Sequence, residues 1–195
     1  MSPEAAVPRP GRPRQADLDG RLEEAVLALL REGGPGAVTV EGVATRAGVA
    51  KTSIYRRHPN RAALLTAVLA NAIGVPELPA AGTVREKIRS ALEQAWRQMN
   101  DVLGPGGLAA IVGNTDPEFT ELFRAELRPY DRALVARIRD DVSEGLLRPD
   151  LDGEGVVSLM LGAYLGELVR HGQVSPDWMD RSLELIWKIM APPAG

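Results

Sequence analysis

Thr39-Val-Glu-Gly-Val-Ala-Thr-Arg-Ala-Gly-Val-Ala-Lys-Thr-Ser-Ile-Tyr-Arg-Arg-His-Pro-Asn-Arg61 is the stretch that decides the fold. It reads as two short helices around a glycine turn, the second of them densely basic. Thr39 is a good N-cap for a helix in which Val40, Val43, Ala44 and Ala47 make one apolar stripe. Gly48 supplies the permissive turn, and Val49 plugs the junction. In the next helix, about Ala50 to His58, Ile54 is the inward anchor, and Lys51, Thr52, Ser53, Tyr55, Arg56 and Arg57 cover the remaining surface. Arg46 to Arg61 holds five cations and no acid. Lys, Thr and Ser at a helix N-terminus suit base edges, because that end enters the major groove first, whereas Tyr55 and Arg57 lie further along, where phosphates are nearer. The unit therefore reads as a DNA-binding one.

Upstream, Leu22, Ala25, Val26, Leu29 and Leu30 repeat at helical spacing, which predicts a first helix from Asp17 to Arg31, stopped by Gly33-Gly34-Pro35-Gly36. Before it, Arg9, Arg12 and Arg14 alternate with Pro10, Gly11 and Pro13. Proline fixes φ and removes amide donors, so residues 1–16 are expected to be a flexible basic arm outside any helix. Arg12 and Arg14 suit a minor groove, and a solvated terminus is the plainer alternative. Charge follows the same division. Residues 1–61 hold 10 Lys/Arg and 7 Asp/Glu, net +3, and residues 62–195 hold 13 and 19, net −6, so the overall −3 conceals a basic head.

Gly48-Val49-Ala50-Lys51-Thr52-Ser53-Ile54-Tyr55, followed by Asn60-Arg61-Ala62-Ala63-Leu64-Leu65, resembles the signature of the TetR/AcrR (tetracycline-repressor-like) transcriptional regulators. The likeness covers residues 20 to 66. It implies that Lys51, Thr52, Ser53 and Arg57 fall on base-facing or near-base positions, Tyr55 on a phosphate-binding tyrosine and Arg61 on a phosphate clamp at the start of helix four, beside Thr39 and Arg56 on the same surface. Asn60 would cap that helix, as its side chain independently suggests. Three residues depart from the pattern. Ala50 stands where the family often has a capping serine, a loss of about 1 kcal/mol; Thr52 stands where glycine is common; and His58 replaces a buried aromatic and is read as a packing residue.

Helix four is expected from Arg61 to Ile73, and Gly74 to Gly82, with Pro76 and Pro79, is the candidate boundary. From Thr83 onward every segment reads helical: Thr83 to Val102, a short apolar helix after Gly104-Pro-Gly-Gly107, a long Pro117 to Gly145 that Pro129 kinks or divides, Gly153 to His171, and Pro176 to Met190. The expected fold is thus all-α, about nine helices. A three-helix helix-turn-helix domain with its linking helix spans residues 17–74, and a larger helical regulatory, ligand-binding and dimerisation domain spans 75–195.

Ser158, Gly162 and Gly166 recur every four residues beside Leu159 and Ala163, and Leu183, Ile186 and Trp187 add bulk on the last helix. These residues are expected to form a homodimer interface across a two-fold axis, with packing inside one chain as the alternative. Two reading heads then address successive major grooves of a near-palindromic operator in double-stranded DNA. Seven of the eight aromatics follow the boundary. Trp96, Met99, Leu103, Ile111, Phe119, Phe123, Leu127, Tyr164 and Leu168 are candidates to line an apolar ligand cavity, which the family resemblance implies; ordinary core is the other reading of each.

The absence of cysteine excludes thiolate metal sites, disulfides and cysteine nucleophiles. His58 and His171 lack metal-ligand spacing, no Gly-x-Ser-x-Gly or Walker loop is present, and Asp140-Asp141 are adjacent and point to different helix faces. Neither an enzyme nor a cofactor is expected. No apolar run reaches the roughly 20 residues of a membrane span, so a cytoplasmic protein without membrane contact is expected. The expected function is a sequence-specific transcriptional regulator, a repressor released by a small apolar or amphipathic effector. The alternative is a DNA-binding activator or architectural protein without a small-molecule ligand.

Overall fold

The computed structural model describes residues 13–77, 79 and 81–192, with side chains from residue 17 onward. Nine α-helices run through the described residues: α1 Pro13–Gly33, α2 Val40–Ala47, α3 Lys51–Tyr55, α4 Arg61–Ile73, α5 Val84–Arg97, α6 Gly104–Gly113, α7 Pro117–Ser143, α8 Gly153–His171 and α9 Trp178–Met190. A 3-10 turn, Pro35–Ala37, follows α1, and a π-helical segment, Gln98–Leu103, joins α5 to α6.

The head is assembled by its caps and its apolar faces. Thr39 Oγ1 accepts from Gly42 N at 2.9 Å, and Asn60 Oδ1 accepts from Ala63 N at 2.8 Å, so α2 and α4 start where capping side chains stand. Ala50 at the start of α3 makes no side-chain cap. Gly48 takes φ 63°, a left-handed value that favours glycine, and Val49 N closes back on Ala44 O at 3.0 Å. Leu22, Val26, Leu30, Val43, Ile54, Leu64 and Leu65 are buried in one core.

That core is continuous with the larger part, because it also takes in Met99, Leu103, Leu108, Phe119, Phe123 and Tyr164. A second core gathers Val84, Ile88, Leu92, Ile138, Val156, Met160, Leu183, Ile186 and Met190 from α5, α7, α8 and α9, with Leu147 from the loop between α7 and α8. The two glycine clusters, Gly33-Gly34 and Gly104 to Gly107, meet at the joint between α1 and α6. A β-carbon at Gly106 would stand 2.5 Å from Gly34 N and 2.6 Å from Leu30 O, so only glycine permits this backbone approach.

Five boundaries differ from expectation. Helix α6 starts at Gly104 and takes in Gly104-Pro-Gly-Gly107 instead of following it, since Pro105 suits a first helical turn. Helix α1 begins at Pro13, four residues inside the expected arm: proline is disfavoured within a helix but suits its first turn, where its missing N–H has no partner to lose. Arg12 lies outside the described residues, and Arg14 belongs to the first turn of α1. Helix α3 closes at Tyr55, since Arg56 and Arg57 already form the turn into Asn60. The helix expected from Thr83 to Val102 passes into π geometry after Arg97. Helix α7 is not divided at Pro129: Pro129 and Ala125, whose carbonyl loses its partner, both face solvent, where water replaces the missing bond.

Candidate DNA-reading site and apolar cavity

Thr39, Lys51, Tyr55 and Arg61 converge, with Glu41 and Asn60, on one polar groove of about 460 Å³. It sits where the N-termini of α2 and α4 flank the reading helix, so capped helix ends and two cations face one concavity, a setting suited to a phosphate. Thr52, Tyr55 and Arg56 are exposed beside it, and Ser53 is half-buried. Tyr55 is 52% exposed, large for an aromatic side chain without a partner surface.

The cations are not free, although their own stretch has no acid. Lys51 Nζ pairs with Glu41, whose carboxyl is held below the usual range by that contact. Arg46 makes a two-pronged pair with Glu32 at 2.6 and 2.7 Å. Arg57 turns back to Asp19 of α1 at 3.0 Å and is half-buried, so it braces α3 against α1 instead of facing outward as expected from the sequence. Arg56 alone among the five cations of this stretch has no ion pair among the described residues.

Arg61 is engaged furthest from its expected role. Its Nη2 donates to Asp116 Oδ2 and to Pro35 O, both at 2.7 Å, its Nη1 to Glu118 at 3.0 Å, and its Nε to Val38 O at 3.0 Å. One guanidinium thereby ties the loop before α2, the start of α4 and the start of α7. Burial raises the Asp116 carboxyl, but the Phe119 amide and Arg61 outweigh it and hold the group below the ordinary range.

Among α5 to α9 lies an apolar cavity of about 160 Å³. Trp96, Met99, Leu103, Ile111, Phe123, Leu127 and Tyr164 line it, seven of the nine residues expected to do so. Phe119 is instead wholly buried in the main core, and Leu168 packs on the edge of that core. Tyr164 donates its hydroxyl to Asn100 of the π segment at 2.9 Å. The walls touch the head directly: Gln98 Nε2 donates to Ile73 O at the end of α4 at 3.1 Å, and Arg31 of α1 donates to Asp101 O.

Comparison with known proteins assigns this architecture. Residues 23–68 match the family model described as "Bacterial regulatory proteins, tetR family", and residues 78–186 match "Tetracyclin repressor-like, C-terminal domain". The chain belongs to the TetR family. It is a transcriptional regulator with a helix-turn-helix DNA-binding unit. This TetR-family chain is 28% identical over 176 residues to the HTH-type transcriptional regulator YdeS of Bacillus subtilis, covering 89% of each. Its fold is shared with reduced NemR of E. coli (TM-score 0.72, 19% identity, 92% of this chain and 100% of that one). The same holds for FadR of Bacillus subtilis in complex with stearoyl-CoA (TM-score 0.65, 18% identity, 86% and 96%). No helix among the described residues is long and apolar enough to cross a membrane.

Two features of this TetR-family chain escaped the sequence reading. Tyr130 and Trp178 line the cavity; the first was legible, since Phe123, Leu127, Tyr130 and Leu134 follow a helical i, i+4, i+7, i+11 line. The second concerns the face of α8 and α9. Ser158, Leu159, Gly162 and Ala163 do border a shallow groove of about 670 Å³ there, with Ile186. Gly166 is also exposed, and a β-carbon at Gly162 or Gly166 would meet nothing within 4 Å. Leu183, however, points into the second core and Trp187 packs against it, while Leu185 and Ile189 occupy the outer face.

Proposed function

We propose that this regulator is a homodimeric repressor whose operator grip is released by a small apolar or amphipathic effector bound among α5 to α8. Lys51, Thr52, Ser53 and Tyr55 of α3, and Arg56 in the turn after it, read or clamp the duplex, with Thr39 and Arg61 bordering the phosphate groove. Arg57 serves by holding α3 against α1. The observation that carries the reading is the sharing of walls: the π segment that lines the cavity with Met99 and Leu103 also holds the ends of α1 and α4 through Asp101 and Gln98. The far wall, α7, lines the cavity with Phe123 and grips Arg61 with Asp116 and Glu118. An effector that fits one arrangement of these walls better than another shifts the head, and by the reciprocity of linkage DNA weakens its binding in turn. FadR of Bacillus subtilis, a regulator of the same fold in complex with stearoyl-CoA, supports the reading that this one responds to a ligand.

The α8–α9 groove supports the dimer. Leu159, Leu185 and Ile189 are exposed apolar side chains beside the open Gly162, and a second copy of the same face covers them. Gly162→Leu fills that space without disturbing the monomer. Light scattering should then give half the wild-type mass, and fluorescence anisotropy on a selected operator should show at least a tenfold loss of affinity. An unchanged mass refutes the interface, and half mass with unchanged affinity refutes the paired-head mode of binding. No catalytic role is assigned to this chain.

A further inference from the structure

The effector cavity contains one polar anomaly. Tyr130 lines it from α7 and is only 3% exposed, yet its hydroxyl has no hydrogen-bond partner. A buried hydroxyl left unpaired is costly, and native structures pair such groups with protein, water or ligand. Its neighbours donate elsewhere: Tyr164 to Asn100 at 2.9 Å, the Trp178 ring to Ala163 O at 3.1 Å, and one of the two Gln98 Nε2 hydrogens to Ile73 O at 3.1 Å. Among the described residues, the Tyr130 hydroxyl is the lining hydroxyl left for a ligand to satisfy.

Size and charge narrow the ligand further. About 160 Å³ holds a single ring, since apolar cavities of roughly 150 Å³ take up benzene, and the exposed Trp96, Val112 and Leu161 form its mouth. Among the described residues, Asp131 is the one charged side chain of the lining, and it is half-buried. No cation lines the cavity among the described residues, Arg97 acting on Tyr130 only from outside the lining, and placing a carboxylate or phosphate next to Asp131 adds repulsion to desolvation. Burial pushes the Tyr130 phenol up to about 12 against the pull of Arg97, so it stays neutral and can both donate and accept.

We infer that this cavity selects an uncharged, single-ring apolar molecule carrying one hydroxyl or carbonyl group, and that the Tyr130 hydroxyl is the residue that recognises that group. The inference rests on the effector reading above and names the ligand class that site takes. It sets the chain apart from the stearoyl-CoA complex of FadR, whose ligand is long and anionic.

The test uses the purified full-length chain, wild type and Tyr130→Phe, titrated by ligand-observed NMR with 4-ethylphenol, ethylbenzene, 4-ethylbenzoate and phenethylamine. Tyr130→Phe removes only the unpaired hydroxyl, so the fold should be kept. The preference for 4-ethylphenol over ethylbenzene should be about tenfold larger in wild type than in the variant, with ethylbenzene binding both alike. Equal preferences in the two proteins overturn the assignment of Tyr130. Failure of every probe to bind wild type overturns the single-ring class, and tighter binding of the benzoate or the amine than of 4-ethylphenol overturns the uncharged class. Operator affinity is measured with 4-ethylphenol in parallel. Tyr130-dependent binding that leaves the DNA complex unchanged supports the ligand class while refuting release by effector.

Discussion

The basic face of the head and the apolar cavity behind it are opposites in how their side chains find partners. In the head, cations from an acid-free stretch are met by carboxylates brought from elsewhere: Glu41 from α2, Asp19 from α1, Asp116 and Glu118 from the start of α7. In the cavity, apolar side chains spaced along α5 to α9 and the π segment supply the wall, and the buried hydroxyl without a partner among the described residues, that of Tyr130, is polar. A run of like charge in sequence therefore does not make a run of free charge in space. Exposed pairs are worth little, typically under about 1 kcal/mol, so phosphates compete for Lys51 at small cost. Arg61, with two carboxylates and two backbone carbonyls around it, is held far more firmly.

The largest effect is expected at the seam that joins the two regions. Gly106→Ala places a β-carbon 2.5 Å from Gly34 N and 2.6 Å from Leu30 O, both backbone atoms that a rotamer change cannot move. α1 and α6 must separate, at a cost of about 2–4 kcal/mol. Denaturant titration reads this as a lower midpoint. A midpoint within experimental error of wild type means the head is not seated against α6 by this approach.

Next in size is the Arg61 clamp. Asp116→Asn keeps a capping oxygen for α7 but removes the charge facing Arg61, and should cost about 1–2 kcal/mol near neutral pH. The sign of its pH dependence follows from the depressed carboxyl: the folded value lies below the unfolded one of about 3.9. Its contribution is therefore complete above that range and is lost as pH falls through the folded value. The stability gap between wild type and variant should be constant above about pH 5 and close in acid below about pH 4. A gap that persists in strong acid shows that the substituted amide fails for shape, not charge.

What the sequence made legible divides along the same line. Caps and apolar stripes are local, so Thr39, Asn60, Gly48 and the alternation of helices were readable from spacing, while seven of the cavity residues followed from that spacing only together with the family resemblance. Ion partners are not local: Arg61 and Asp116 lie 55 positions apart, and nothing near Arg61 announces the acid. The π segment escaped because a helix through Met99 and one that widens there keep nearly the same apolar spacing. On α9 both faces carry bulk, Leu183, Ile186 and Met190 on one and Leu185 and Ile189 on the other, and periodicity alone does not say which meets the core.

The smallest expected effect is the most direct test of the contrast. Glu41 borders the phosphate groove and holds Lys51, so it adds a negative charge where DNA brings its own. Glu41→Gln keeps the size of the side chain and frees the ammonium. Since the pair is exposed on both sides, the expected effect is small, about a two- to fivefold gain in operator affinity by anisotropy. The gain should shrink as salt rises, because screening weakens the repulsion that Glu41 exerts on the backbone. If affinity falls instead, Glu41 is holding Lys51 in the position from which it reads DNA. Intramolecular pairing would then be a means of aiming a cation, and the paired head would be as preorganised as the cavity.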